Sequence, residues 1–224
     1  MTALPQHAPS SARSSRAVAR EREQQVLFAI ALCGYLTTRL VALWVWDTST
    51  EHVARNKAQL VLKRLEAQRL VLRRLAQNGD VVWILGRAGA QMLNDRREAE
   101  GLPPLAQAGH DLGFTALERD KLAIAHALAV RQQSQAQERG VIGRAGLRAG
   151  IVPGCLDCDA VLIERDSSEA LTLTAIVAAP DARENLVKRV ASIHQRGLRV
   201  ELAGQAKTVA LLRKRVAAEL RART

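Results

Sequence analysis

The chain has 224 residues, a length that fits one large domain or two small ones. Apolar residues make up 48% of it, which excludes disorder of the whole chain, and its three cysteines exclude a disulfide scaffold and fit a reducing compartment such as the cytoplasm. The 33 Lys and Arg against 22 Asp and Glu give a formal charge of +11, which indicates a polyanionic partner, either nucleic acid or an anionic membrane surface.

The positive charge is concentrated in the first half of the chain. The first 97 residues hold 15 Lys and Arg against 7 Asp and Glu, whereas the other residues hold 18 against 15. We therefore expect a polyanion site in the first half. Residues 1–18 are rich in Ser, Ala and Pro with scattered Arg, and predict a disordered basic arm.

Residues 19–97 predict three helices followed by a two-stranded hairpin. The apolar spacing of the third helix, at Ala54, Ala58, Val61 and Leu65, indicates one buried stripe. Asn78-Gly79 lies between two apolar runs and is a strong hairpin signal. The predicted elements are, in order, helix 21–33, helix 37–46, helix 51–67, strand 70–75, strand 81–85 and helix 88–96.

This order is typical of a winged helix-turn-helix, in which a helix enters the DNA major groove and a hairpin reaches the adjacent backbone. A polar and basic face lies opposite the apolar stripe of the third helix. Arg can pair with guanine and Asn or Gln with adenine, while other basic side chains bind phosphates. A solvated surface helix, or a winged helix that binds only proteins, carries similar residues. The DNA contacts we predict are Arg55, Asn56, Gln59 and Lys63 on that face, Lys57, Arg64 and Arg69 to phosphates, and Arg73 and Arg74 on the hairpin.

The segment from Val26 to Trp46 offers a different interpretation. It is apolar apart from Thr37, Thr38 and Arg39, and it is long enough to span a bilayer. Arg39 would then lie in the hydrocarbon, at a cost of about 2.5–3.5 kcal/mol, and Gly34 interrupts the run. Two short buried helices with a turn between them explain the segment without a membrane. A membrane anchor through residues 26–46 is the alternative.

Three segments of the first half resemble plasmid replication-relaxation proteins, a winged-helix family of plasmids and integrative elements. They are YLTTRLVALWVW, ARNKAQLVLKRLEAQRLVLRR and VVWILGRAGAQML. The resemblance covers about residues 21–95 and continues more loosely to the end of the chain. It implies DNA binding in plasmid replication, mobilisation or transcription control, alongside plasmid replication or relaxosome proteins.

The second half predicts a separate small α/β domain. Residues 98–117 contain Pro103-Pro104 and three glycines and predict a linker. The strand–helix–strand series near the end predicts a parallel pair of strands. Residues 139–150, RGVIGRAGLRAG, predict a solvated turn, with phosphate contact by Arg144 and Arg148 as the alternative. The predicted domain comprises residues 118–224. Its predicted elements are a helix that begins near residue 117 and ends at 137, strand 160–164, strand 171–178, a helix ending at 195, strand 198–202 and a C-terminal helix.

This order is also that of a restriction-endonuclease-like core, in which an Asp on one strand and a Glu-x-Lys on the next hold a divalent cation. Asp157 and Asp159 precede the first strand, but the next strand reads LTLTAIVA, without an acid or a lysine. We therefore expect a degenerate version of the core that serves assembly, with no catalytic residues, metal or cofactor. The alternative is a metal-dependent nuclease with a displaced acid such as Glu164 or Glu169.

A lone CxxC motif, Cys155-Leu-Asp-Cys158, is a candidate for part of a zinc site. A structural zinc ion needs four ligands, and only Cys33 and the histidines could supply the other two. We therefore interpret Cys155 and Cys158 as two reduced thiols in a loop. The sequence as a whole predicts a cytoplasmic, non-enzymatic, two-domain protein that binds double-stranded DNA, forms homodimers and does not bind membranes.

Overall fold

A computed structural model describes residues 15–46, 49–76, 78–105, 117–134, 138–165 and 168–222. Within these ranges the fold is mixed α and β, with eight helices and two sheets. The helices are α1 (Ser15–Cys33), α2 (Thr38–Val45), α3 (Glu51–Ala67), α4 (Arg87–Ala99), α5 (Leu117–Gln133), α6 (Arg144–Arg148), α7 (Glu184–Gln195) and α8 (Ala206–Ala222). The strands are β1 (Tyr35–Thr37), β2 (Val71–Leu75), β3 (Val81–Leu85), β4 (Glu138–Gly143), β5 (Ala160–Arg165), β6 (Leu171–Ala179) and β7 (Arg199–Gly204).

The first sheet has the order β1-β3-β2, and all its pairs are antiparallel. Its hairpin confirms the Asn78-Gly79 prediction: Gly79 has a φ of +84°, a left-handed conformation that glycine adopts without a steric penalty. Trp83 and Leu85 on one face belong to the core that α1, α2 and α3 build. Val82 and Ile84 on the other face pack with Leu117 at the start of α5. The sheet is therefore covered on both sides.

The apolar segment from Val26 to Trp46 folds as the end of α1, the strand β1 and the helix α2. Gly34, with a φ of +85°, ends α1, and its N–H donates to the Ile30 carbonyl at 2.7 Å. The two helices are confirmed, although α1 has 19 residues and is not short, and a strand paired with β3 separates them where a turn was expected. No helix in the described part of the chain has the length and apolar character needed to cross a bilayer.

One boundary and one buried position in the first half differ from the sequence prediction. The helix α1 begins at Ser15, so residues 15–18 of the predicted arm are helical, and residues 1–14 lie outside the described residues. In α3 the buried stripe contains Leu62 in place of the predicted Val61, which is only half-buried. Both residues lie near the apolar stripe, and the packing of α2 against α3 decides which of them is covered.

The second sheet has the order β4-β5-β6-β7. The strands β6 and β7 are parallel, as predicted, and the other pairs are antiparallel. The predicted solvated turn at residues 139–150 was wrong, because this segment forms β4 and α6 with Val141 and Ile142 buried. The pairing of β4 with β5 is a long-range interaction, and the glycine-rich local sequence gives no strand signal for it.

The two halves share one continuous cluster of buried side chains, which extends from α1 to α8. Gly143 lets them approach closely, since a Cβ there would lie 2.8 Å from the Cα of Cys33. A buried polar pair also joins them: the Tyr35 hydroxyl on β1 donates to Asp120 Oδ2 on α5 at 2.5 Å. The division into two domains stays a prediction, and residues 106–116 of the predicted linker lie outside the described residues.

Candidate nucleic-acid interface

Three side-chain contacts fix α2 and α3 on the first sheet. Thr37 caps α2, where its Oγ1 accepts from the Leu40 N–H at 3.4 Å. Trp83 on β3 donates its indole N–H to Thr38 Oγ1 at 2.9 Å. An ion pair at 3.0 Å joins Arg39 on α2 to Glu51 at the start of α3. The sheet therefore holds α2, and α2 in turn is joined to the start of α3.

The outer face of α3 is exposed and mostly polar, with Leu60 and Val53 as its exposed apolar side chains. Ala54, Ala58, Leu62 and Leu65 face the core. With a turn of about 100° per residue, the side chains opposite this buried stripe are those of Asn56 and Lys63. Those of Gln59 and Lys57 flank the stripe, about 100° from its centre on either side, and that of Arg55 lies at its border. All nine predicted DNA-contacting residues are exposed. The predicted base-reading residues thus share one accessible helical surface, with Arg55 at its edge.

Some of these side chains already have protein partners. Asn56 Nδ2 lies 3.1 Å from His52 Nε2, and Lys57 Nζ lies 3.5 Å from Ser49 Oγ. Arg64 is turned toward α1, where its Nη1 donates to Glu23 Oε1 at 2.9 Å. Exposed contacts of this kind contribute less than about 1 kcal/mol each. A phosphate could displace them, and in the case of Arg64 it would compete with a carboxylate.

Arg69 lies at the junction of α3 and β2. It has a φ of +59°, which is uncommon for a residue other than glycine. Its carbonyl lies against the start of α4, because a Cβ on Gly86 would be only 2.4 Å from that oxygen. The backbone of Arg69 therefore has a structural role, and its exposed side chain remains a candidate for phosphate contact.

The structure separates the two hairpin arginines. In the register of β2 with β3, Arg73 is opposite Trp83 and Arg74 is opposite Val82. Paired residues point to the same face, and neighbours along a strand point to opposite faces. Arg73 therefore lies on the face that carries α1, α2 and α3, while Arg74 lies on the face that packs against Leu117. Of these two arginines, only Arg73 lies on the same side of the sheet as α1, α2 and α3.

The acids of the nuclease alternative do not meet. Asp159 is fully buried, and its carboxylate accepts the Ala178 N–H of β6 at 2.9 Å. The β6 residues beside it are Ile176 and Ala178. Glu164 and Glu169 lie toward the other ends of β5 and β6, and five strand residues put the Glu164 Cα about 16 Å from that of Asp159. Neither acid can share a metal ion with Asp159.

The CxxC thiols are free and buried. They are hydrogen-bonded to each other, and burial raises the pKa of Cys158 to about 12. Among the described residues no three His, Cys, Asp or Glu side chains cluster closely enough to hold a metal ion. Cys33 lies elsewhere, against Gly143. This arrangement fits two reduced thiols.

Sequence reasoning named Arg144 and Arg148 as possible phosphate contacts but missed that Arg119, Arg144 and Arg189 converge on Asp159. They come from α5, α6 and α7, so no local motif links them. No protein-family model, curated protein or solved structure matches this chain. What the sites do is therefore inferred from their own residues and geometry.

Proposed function

We propose that the chain binds duplex DNA, with α3 in the major groove and β2 against the neighbouring backbone. The order α1, β1, α2, α3, β2, β3 and the three-stranded antiparallel sheet support a winged helix-turn-helix. The observation that carries the proposal is the exposed face of α3, where Asn56 and Lys63 lie opposite the buried stripe and Gln59 lies beside them. This face combines amide groups that suit base edges with cations that suit phosphates.

The biological setting is the replication, mobilisation or transcription control of a plasmid or mobile element. This part of the proposal is supported by the resemblance of residues 21–95 to replication-relaxation proteins. The second half acts as a non-catalytic assembly domain with a degenerate restriction-endonuclease-like core. Its support is the strand order β4-β5-β6-β7 with one parallel pair, together with the apolar residues beside Asp159. Assembly is expected to form a homodimer on paired DNA sites.

Fluorescence anisotropy over a salt series tests the proposal directly. The probes are the duplex from upstream of the chain's own gene and a shuffled duplex of the same composition. We expect tight binding that weakens steeply with salt and favours the native duplex, because phosphate contacts release counterions and base contacts discriminate. Absence of binding at low salt would refute the proposal.

Gln59→Ala is expected to reduce the preference for the native duplex by about 1–3 kcal/mol, because it removes an amide that can pair with adenine. The matched control is Gln91→Ala, which removes the same side chain from an exposed position on α4. We expect the control to keep the full preference. An equal loss in both variants would show that α3 is not the reading element.

Arg73→Ala is expected to weaken binding to native and shuffled duplexes alike and to reduce the salt slope by about 1, as the loss of one phosphate contact does. Arg74→Ala makes the same change on the opposite face of the same strand and is expected to leave both quantities unaltered. DNA-binding titrations of the two variants at several salt concentrations compare their affinities and salt slopes. A larger effect from Arg74 would reverse the assignment of the DNA-facing side.

A further inference from the structure

A cavity of about 310 Å³ lies where α5, α6 and α7 meet the start of β5. Four of its lining side chains are cationic: those of Arg119, Arg144, Arg148 and Arg189. The acids in its lining are Asp157 and Asp159. The lining therefore carries two more positive than negative charges, in a space of the size that small ligands occupy.

Asp159 organises the cationic side chains around a single oxygen. Its Oδ1 lies 3.1 Å from Arg119 Nε, 2.8 Å from Arg144 Nη2 and 3.0 Å from Arg189 Nη2. Its other oxygen accepts the Ala178 N–H at 2.9 Å. One buried carboxylate thus holds three guanidinium groups close together but neutralises only one of their charges.

The neighbouring acidic side chains do not remove the excess of positive charge in the lining. The Asp157 carboxylate is paired with Arg196, and its carbonyl accepts from Arg189 Nε. Asp120 contacts Arg144 Nη2 at 2.8 Å and accepts from the Tyr35 hydroxyl, so it adds one negative charge, which the positive charge of Arg196 offsets. The cationic cluster therefore keeps a net positive charge.

Two donors of the cluster lack acceptors. The Nε–H groups of Arg119 and Arg144 are buried and have no hydrogen-bond partner in the ranges that the structure describes. Arg119 Nε is in ion-pair contact with Asp159, but it is not aligned for a hydrogen bond. A buried donor without an acceptor is destabilising.

We propose that this arginine cavity binds a phosphate monoester. Guanidinium groups match the oxygens of phosphate in charge and shape. A monoester carries a charge of about −1.5 to −2 at pH 7, which corresponds to the excess of the lining. The site is distinct from the α3 face and does not depend on the DNA-binding proposal.

A second cavity provides room for the organic group of the ester. It has a volume of about 740 Å³ and shares Arg119 and Arg144 with the first. Ala179 and Gly204, at the carboxyl ends of the parallel strands β6 and β7, also line it. Ligands of open α/β sheets bind at this edge. The two cavities thus suit a phosphate and the group attached to it.

Isothermal titration calorimetry of the full chain at constant ionic strength tests the site. The probes are inorganic phosphate, adenosine 5′-monophosphate and uncharged adenosine. We expect saturable binding of both phosphates and none of adenosine. Absence of saturable phosphate binding, or adenosine binding as tightly as its monophosphate, would overturn the proposal.

The variants Arg119→Gln and Arg148→Gln are expected to weaken phosphate binding at least tenfold. Arg148 is an exposed lining residue, so its replacement tests the site even if the loss of Arg119 perturbs folding. Arg87→Gln on α4 makes the same charge change at an exposed position outside the cavity and is expected to bind phosphate normally. Equal binding by all three variants and the unaltered chain would exclude the arginine cavity as the site.

Duplexes with a 5′-phosphate or a 5′-hydroxyl distinguish the two sources of the phosphate. If a DNA end supplies it, the 5′-phosphorylated duplex binds more tightly, and Arg148→Gln abolishes the difference. If a free nucleotide supplies it, the two duplexes bind equally while adenosine 5′-monophosphate still binds. Gln59→Ala is expected to leave phosphate binding unchanged, so that failure of DNA recognition by α3 and failure of the phosphate site are separable.

Discussion

Gly89→Ala is expected to lower the free energy of unfolding by about 3 kcal/mol. In an unconstrained helix the same change would stabilise by about 1 kcal/mol, because alanine is the better helix former. Here a Cβ on Gly89 would lie 2.1 Å from the Leu70 carbonyl oxygen and 2.9 Å from its carbon. These are backbone atoms next to β2, so α4 would have to move away from the sheet. Urea unfolding followed by circular dichroism measures the change.

Gly140→Ala is the matched control for this prediction. Gly140 lies in β4, and a Cβ there would meet no atom within 4 Å. We expect the urea concentration at the midpoint of unfolding of Gly140→Ala to stay close to that of the unaltered chain. If Gly89→Ala were instead the more stable variant, helix propensity would outweigh the contact, and α4 would not be held tightly against Leu70.

Asp159→Ala is expected to lower the free energy of unfolding by about 3–5 kcal/mol, the range found when one partner of a buried ion pair is removed. The variant leaves the guanidinium groups of Arg119, Arg144 and Arg189 facing one another without their shared carboxylate. It also leaves the Ala178 N–H without its acceptor. Thermal and urea unfolding in chloride buffer would measure the loss.

Asp181→Ala provides the comparison, because Asp181 pairs with Arg183 at the surface, where the Arg183 side chain is 83% exposed. Its loss is expected to change stability by less than about 1 kcal/mol. The phosphate proposal adds a second expectation: replacing chloride by phosphate at equal ionic strength stabilises Asp159→Ala, since a ligand of the native state raises stability by mass action. Equal stability of Asp159→Ala and Asp181→Ala would show that the arginines do not need the carboxylate.

The first half of the fold was largely predictable because its signals are local. The apolar stripe of α3, the stop at Gly34 and the turn at Gly79 each depend on a few neighbouring residues. The strand β1 was missed, since three residues carry no periodic pattern and its partner β3 is almost 50 positions away. The exposure of the candidate residues on α3 followed from the same periodicity that buries Ala54 and Ala58.

The glycines of the second half had a role that the sequence did not reveal. Gly143 and Gly146 suggested a solvated turn, yet a Cβ on Gly143 would clash with Cys33 at the end of α1. A Cβ on Gly146 would lie 2.7 Å from Ile142 Cγ2 on β4 and 3.2 Å from Leu32 Cδ2 on α1. Small residues look alike in a turn and at a close contact between elements. Only the partner surface distinguishes the two cases.

The sequence by itself determined most of the helices, the hairpin and the polar face of α3, because helix and strand periods and turn preferences act between residues close in the chain. The tertiary structure alone decided which side of the sheet Arg73 and Arg74 occupy, and it alone brought Arg119, Arg144 and Arg189 to one carboxylate. The physical reason is that strand register and the packing of α5, α6 and α7 depend on contacts between distant segments, which no local pattern encodes.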